Sequence, residues 1–344
     1  MVPMFFELPA VFGYPVIAMA TTLTCATLIV YMIFPSVLIQ AYMRLSVLSC
    51  GMKIKSVRIG KHLIWYGEKG QSKNRKSSIL LVHGFSADMY MWVPLVRKLT
   101  DDSHVIAIEL PGHGNTAAPE EGEDISFSAY VEIINKFVSE LGLYKSPFHM
   151  IGISMGGTIS GVYSARYPGH VERLTMMCPA MMTPQVSKYA ELVAERHGHH
   201  GDHMDLLETR LLPRTPEDVQ EMLNFVQYRK TLLPAKLLKG IAEMRTPYYP
   251  YLLRMFKTMT AADHLSALED TAEYIPVPTQ LIWGEADQLI HISGIDVLKS
   301  KLPNCQRVDL IPRCGHNVTM DRPGAMTKAI RCFRGELGND KKQS

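Results

Sequence analysis

The chain of 344 residues carries six cysteines, and none of them shows the paired spacing of a disulfide framework or a zinc knuckle. Reduced thiols suit a cytosolic setting. Charge of either sign is weakly unbalanced: the formal net charge is +3, with Lys and Arg scattered along the chain. That excludes the basic patch or stripe by which a nucleic-acid-binding domain declares itself. Internal repeats and long low-complexity tracts are also missing, which argues against a solenoid or a flexible scaffold. Charge is absent altogether between Glu7 and Arg44. Inside that window Val16 to Phe34 is an apolar run broken by a few threonines and ended by Pro35.

A helix of about 20 apolar residues crosses a hydrocarbon core of about 30 Å, so this run is long enough to span a bilayer. Thr21, Thr22, Thr24 and Thr27 can donate to helix carbonyls, which lowers their cost in lipid. A cleaved signal peptide would open with basic residues and have a shorter apolar core, whereas this chain opens with Glu7 and no Lys or Arg. The expectation is a single-pass anchor. Arg44, Lys53, Lys55, Arg58 and Lys61 all follow it, so the positive-inside rule puts the rest of the chain on the cytosolic side.

Beyond the anchor, short apolar runs open directly into loops rich in glycine and chemistry. Phe148-His149-Met150-Ile151 leads into Gly152-Ile153-Ser154-Met155-Gly156, followed by small and apolar residues up to Pro168. A G-x-S-x-G between a strand and a helix is a nucleophile elbow, a turn so sharp that glycines must flank it. Ile79 to Val82 opens into His83-Gly84-Phe85, and Val105 to Ile108 into Pro111-Gly112-His113-Gly114. The backbone N–H groups of Phe85 and Met155 are the two candidate donors to an oxyanion. Near the C-terminus, a strand from Thr279 to Gly284 precedes Asp287, and a strand from Val308 to Ile311 precedes Cys314-Gly315-His316. Three chemistry-bearing residues, Ser154, Asp287 and His316, therefore each follow a predicted strand. Serine is a poor nucleophile at neutral pH, so His316 takes its proton and Asp287 holds the imidazole tautomer.

Asp309 and Asp321 compete for the acid's role, but Asp309 lies within the last strand and Asp321 on the helix after His316. His316 and Asp321 also form the H-x-x-x-x-D spacing that acyltransferases carry, so acyl transfer to a lysolipid, through that pattern or through the same serine, stays open as an alternative chemistry. A third alternative is an inactive scaffold used as a membrane-tethered binding module, against which stand the complete triad and both donors. Arg196 to His203 is rich in histidine but has no helical ligand pairing, and His113 is expected to organise its loop. Neither a metal nor a cofactor is implied.

The order nucleophile, acid, histidine at strand ends resembles the α/β-hydrolase family over roughly residues 54 to 335. The motifs around His83, Pro111, Gly152, Trp283 and Cys314, together with the membrane segment, are similar to its membrane-anchored monoacylglycerol lipases. The resemblance implies a mostly parallel eight-stranded sheet flanked by helices, with a helical cap. It implies the layout 1–43 tail and anchor, 44–179 first part of the core, 180–276 cap, 277–337 second part of the core, and 338–344 disordered tail. It also implies a lipid ester as substrate, monoacylglycerol and also lysophospholipid, and residence in late endosome, lysosome or another endomembrane. The cap breaks at several prolines into helical pieces, one starting at Thr215-Pro216-Glu217-Asp218. Its apolar residues, among them Met181, Met182, Leu206, Leu207, Met222, Phe225 and Leu238, suit an acyl-chain tunnel, although packing onto the core accounts for most of them.

Overall fold

The computed structural model of the chain describes residues 10–72, 77–197 and 211–337. The expected C-terminal tail, the histidine-rich stretch from 198 onward, Leu206 and Leu207 lie outside these residues. In chain order the helices and strands are α1 (Ala10–Ile33), α2 (Pro35–Ser49), β1 (Lys53–Ile59), β2 (His62–Lys69), β3 (Ile79–Val82), α3 (Val93–Val96), β4 (Val105–Ile108), α4 (Phe127–Glu140), β5 (Phe148–Ile153), α5 (Met155–Arg166) and β6 (Val171–Met177). They continue with α6 (Lys188–His197), α7 (Pro216–Val226), α8 (Ala235–Arg245), α9 (Tyr249–Thr260), α10 (Ala262–Thr271), β7 (Thr279–Gly284), α11 (Gly294–Lys301), β8 (Cys305–Ile311), α12 (Val318–Asp321) and α13 (Pro323–Phe333).

The eight strands form one sheet in the order β1-β2-β4-β3-β5-β6-β7-β8. Only β2 runs antiparallel, to β1 on one side and β4 on the other. Strands β3, β4, β5 and β7 are buried along their whole length, as expected where helices cover both faces of a parallel sheet. The edge strand β8 alternates instead, leaving Val308 and Leu310 exposed. Helices α4, α5 and α10 form one covering group, and α3, α12 and α13 another.

All of α6 to α10 falls between β6 and β7. Helix α7 begins as expected: Thr215 Oγ1 accepts from the Asp218 N–H, and Asp218 returns a bond to the Thr215 N–H at 2.9 Å. Of the apolar residues in this part of the chain, Met181, Leu211, Leu212, Met222, Phe225 and Leu238 are buried. Met182 and Leu232 face solvent.

Helix α1 contains an apolar window, Val16–Ile33, long and apolar enough to cross a membrane and without any burial inside the protein. Thr22, Thr24 and Thr27 donate to the carbonyls of Ala18, Ala20 and Leu23 at 2.8 to 2.9 Å. Pro35 ends α1 and also starts α2, because a proline fits the first turn of a helix. Helix α2 runs through residue 43 and belongs to the body of the protein. Val47 is fully buried, and Ser49 Oγ accepts from the Arg97 guanidinium at 2.6 Å. Helix α2 packs on α8, where Gly240 lets the two backbones approach. A Cβ at that position would sit 2.8 Å from Ile39 and 2.9 Å from the Pro35 backbone. Lys236 of α8 donates to the Met32 carbonyl at the end of α1 (3.2 Å).

Candidate active site

Ser154 joins β5 to α5 with φ 54° and ψ −125°, a backbone conformation that non-glycine residues seldom adopt. The flanking glycines are required by space. A Cβ on Gly152 would lie 2.2 Å from the Gly156 carbonyl oxygen, and one on Gly156 would lie 2.3 Å from that of His83. The turn therefore wedges against the end of β3, with Gly84 directly beside the Ser154 side chain. Ser154 is 9% exposed, buried yet reachable.

The adjacent strands β5, β6, β7 and β8 end at one edge of the sheet, so the loops after β5, β7 and β8 bring Ser154, Asp287 and His316 to the same edge. Asp287 Oδ1 accepts from the backbone N–H groups of Leu289 (2.8 Å) and Ile290 (3.0 Å). That leaves Oδ2 for His316 Nδ1, at 2.8 Å. Because the carboxylate only accepts, Nδ1 carries the proton and Nε2 of the neutral ring is free to accept one. Cys178 lies beside this pair, and ligand atoms of the three residues fall within 4.8 Å of one another. Burial, with the Asp287 charge adding to it, pushes the Cys178 thiol well above its usual range. A neutral thiol next to a hydrogen-bonded His–Asp pair is a poor metal ligand set.

The other carboxylates are engaged elsewhere. Asp309 Oδ2 accepts from Gln280 Nε2 at 2.7 Å, and both its oxygens bind the Arg307 guanidinium. Asp321 Oδ2 accepts from the backbone N–H groups of Gly315 (2.8 Å) and Tyr228 (2.7 Å). The H-x-x-x-x-D spacing thus shapes the loop that carries His316, and ties it to the chain after α7, while Asp287 takes the ring. The Asn317 N–H donating to the Val226 carbonyl (2.8 Å) is a second tie between that loop and the insertion.

Met155 supplies the first amide of α5, which has no acceptor within its helix, and Phe85 follows β3 across from it. Among the described residues neither amide is committed to another acceptor. His83 fixes the peptide that bears the Phe85 N–H. Its Nδ1 donates to the Gly84 carbonyl at 2.8 Å while its Nε2 accepts from the Leu110 N–H at 3.0 Å. Burial holds the ring neutral, lowering its pKa to about 4. Its neighbour His113, with ring centroids 4.8 Å apart, is lowered to about 3 by burial and the charge His83 would carry. His113 bonds the Pro111 carbonyl (3.1 Å), a loop-organising position. The bond from the Leu110 N–H to His83 spans 27 positions, so no local pattern in the sequence signals it.

A cavity of about 540 Å³ opens between α2, α8, the start of α9 and the loops after β3 and β4. Ile39, Met43, Ile241, Met244 and Leu252 make it apolar, and Arg44, Asp88 and Arg245 give it polar points.

Residues 78–323 match the α/β hydrolase fold family. The chain is 34% identical to monoacylglycerol lipase ABHD6 of Homo sapiens over 310 residues, covering 90% of each chain. It is 33% identical to monoacylglycerol lipase abhd6-B of Xenopus laevis, covering 89% of each. Among solved structures, a membrane phospholipase A described as a bacterial virulence factor superposes with a TM-score of 0.78 at 27% identity, covering 94% of this chain and 98% of its own. A putative lipase from Acinetobacter baumannii shares the fold, with a TM-score of 0.75 at 22% identity over 86% of this chain and 95% of its own. The chain belongs to the α/β-hydrolase family and is a serine ester hydrolase.

Proposed function

We propose that the protein cleaves monoacylglycerols at a membrane, with Ser154 as nucleophile, His316 as general base and acid, Asp287 as the orienting carboxylate, and the N–H groups of Phe85 and Met155 as the oxyanion hole. The observation that carries this reading is the Asp287–His316 hydrogen bond at the sheet edge where the strained Ser154 turn ends. Similarity to monoacylglycerol lipases along nine-tenths of the chain supports the substrate class.

Ser154 Oγ attacks the ester carbonyl as His316 Nε2 takes the hydroxyl proton. The carbonyl oxygen becomes an oxyanion facing the two amides. Collapse breaks the bond to the glycerol oxygen, which leaves with the proton from His316. Water, deprotonated by the same nitrogen, then attacks the acyl-enzyme, releasing fatty acid and restoring Ser154. Helices α6 to α10 act as a cap over this edge. Helix α1 is the single-pass anchor, and the basic residues that follow it favour the cytosolic side for the catalytic part. The resemblance to membrane-anchored lipases supports an endomembrane such as late endosome or lysosome.

The likeness to a membrane phospholipase A favours lysophospholipids as a second substrate class, cleaved by the same serine. Replacing Ser154 with Ala should abolish fluorophosphonate labelling together with glycerol release from monoacylglycerol. Labelling that persists on another serine would overturn the assignment.

A further inference from the structure

Two bonds from opposite directions pin the loop that carries the Phe85 N–H. On one side His83 holds the Gly84 carbonyl. On the other, the guanidinium of Arg245, at the end of α8, donates from Nη2 to the Ser86 carbonyl at 2.9 Å and to the Ser86 hydroxyl. Ser86 needs such a partner because its φ is 54°, in the left-handed region that side chains disfavour. Burial lowers Arg245 to about 10, and the nearby Asp88 carboxylate opposes the shift, so the guanidinium keeps its charge at neutral pH. Asp88 itself accepts from the Tyr90 N–H at 3.0 Å and stiffens the next turn of the same loop. Helix α8 is seated in turn on α2, where Gly240 lies against Pro35 and Ile39.

We propose that Arg245 is a positioning residue for the reaction: reaching from the insertion, it holds Ser86 so that the Phe85 N–H stays aimed at the developing oxyanion. This rests on the oxyanion reading given above. Arginine suits the task, because the two protons of Nη2 are held in the guanidinium plane and reach the carbonyl and the hydroxyl of one residue together. The cavity lined by Arg245, Ser86 and Asp88 also gives a small cation a route to the same place.

The test uses the full-length protein with a short soluble ester, measuring kcat, KM and Tm for Arg245→Met and Arg245→Lys, with and without guanidinium at a concentration that leaves Tm unchanged. Loss of a direct oxyanion donor costs about 10²–10³ in kcat, so misaiming one should cost roughly tenfold, with KM nearly constant. Added guanidinium should restore Arg245→Met. Arg245→Lys, which keeps the charge beside Asp88 and preserves folding if Met does not, should show the same kcat-only loss at smaller size. An unchanged kcat in Arg245→Lys and Arg245→Met, or a loss that tracks Tm and ignores guanidinium, overturns the proposal. Ser154→Ala, assayed alongside, separates the two ideas. If it stays active the nucleophile assignment fails, and if it is dead while the Arg245 variants are fully active only the positioning role fails.

Discussion

Asp287→Asn is the substitution whose outcome the geometry dictates most closely. Oδ1 of Asp287 accepts two backbone N–H bonds, from Leu289 and Ile290. An asparagine must keep its carbonyl oxygen there, because an NH₂ group cannot accept. Its NH₂ then faces His316 Nδ1, 2.8 Å away in the parent, and donates to it. The ring is forced into the tautomer with its proton on Nε2, where it can no longer take the proton of Ser154. In serine proteases the same exchange lowers kcat about 10⁴-fold, equivalent to roughly 5.4 kcal/mol of transition-state stabilisation. Stability should hardly change, since shape and both amide bonds survive. The assay is kcat on a short soluble ester, with Tm as control, for Asp287→Asn, Asp309→Asn and Asp321→Asn. Asp309 serves Gln280 and Arg307, and in Asp321→Asn the new side-chain carbonyl can still accept from Gly315 and Tyr228. Both should stay within a few-fold of the parent. Near-normal turnover by Asp287→Asn beside a collapse in either of the others would refute the reasoning.

Further expectations follow from the same contacts. Asp321→Ala, which leaves the Gly315 and Tyr228 amides without their acceptor, should lower kcat more than Asp321→Asn does; equal kcat in the two variants would show that the His316 loop holds itself. Removing residues 1–34 keeps α2 whole, so short esters should be cleaved at parental rates while long-chain monoacylglycerol in vesicles is cleaved more slowly. Each acyl CH₂ favours the lipid by about 0.8 kcal/mol, and equal losses on both substrates would show that α1 is part of the fold. Burial and the neighbouring Asp88 raise Glu109 to about 8, above its ordinary 4.5, so its contribution to stability is full below pH 4.5 and lost as pH rises through about 8. Glu109→Gln should therefore flatten the fall in Tm between pH 5 and 8, and an unchanged slope would contradict the assignment. On the acid side His83, lowered to about 4 by burial, contributes stability that is lost as pH falls from 6.5 toward 4, which a Tm profile over that range measures.

The sheet and the chemistry were legible in sequence for a shared reason. Strands buried on both faces are short continuous apolar runs, and Ile79–Val82, Val105–Ile108 and Thr279–Gly284 have the same bounds in the structure. Glycines at 152 and 156 announce the Ser154 turn because no Cβ fits there. Helix α2 was hidden by Pro35, which stops one helix and starts the next, so composition alone marks only the stop. Asp321 stood in a recognisable spacing, yet what its carboxylate touches is decided by Tyr228 of the insertion, 93 positions away. The Arg245–Ser86 bond spans 159 positions and has no local pattern. Such supports emerge only when the insertion packs against the loops after β3 and β8.

The most direct test of the central claim is lipid turnover in vesicles containing a long-chain monoacylglycerol and a lysophospholipid, comparing the full-length protein with Ser154→Ala. The account predicts stoichiometric fatty acid and glycerol from the monoacylglycerol with the parent protein and neither with the variant. Fatty acid appearing equally with both proteins, or acyl groups moving onto the lysolipid without release of free fatty acid, would contradict it.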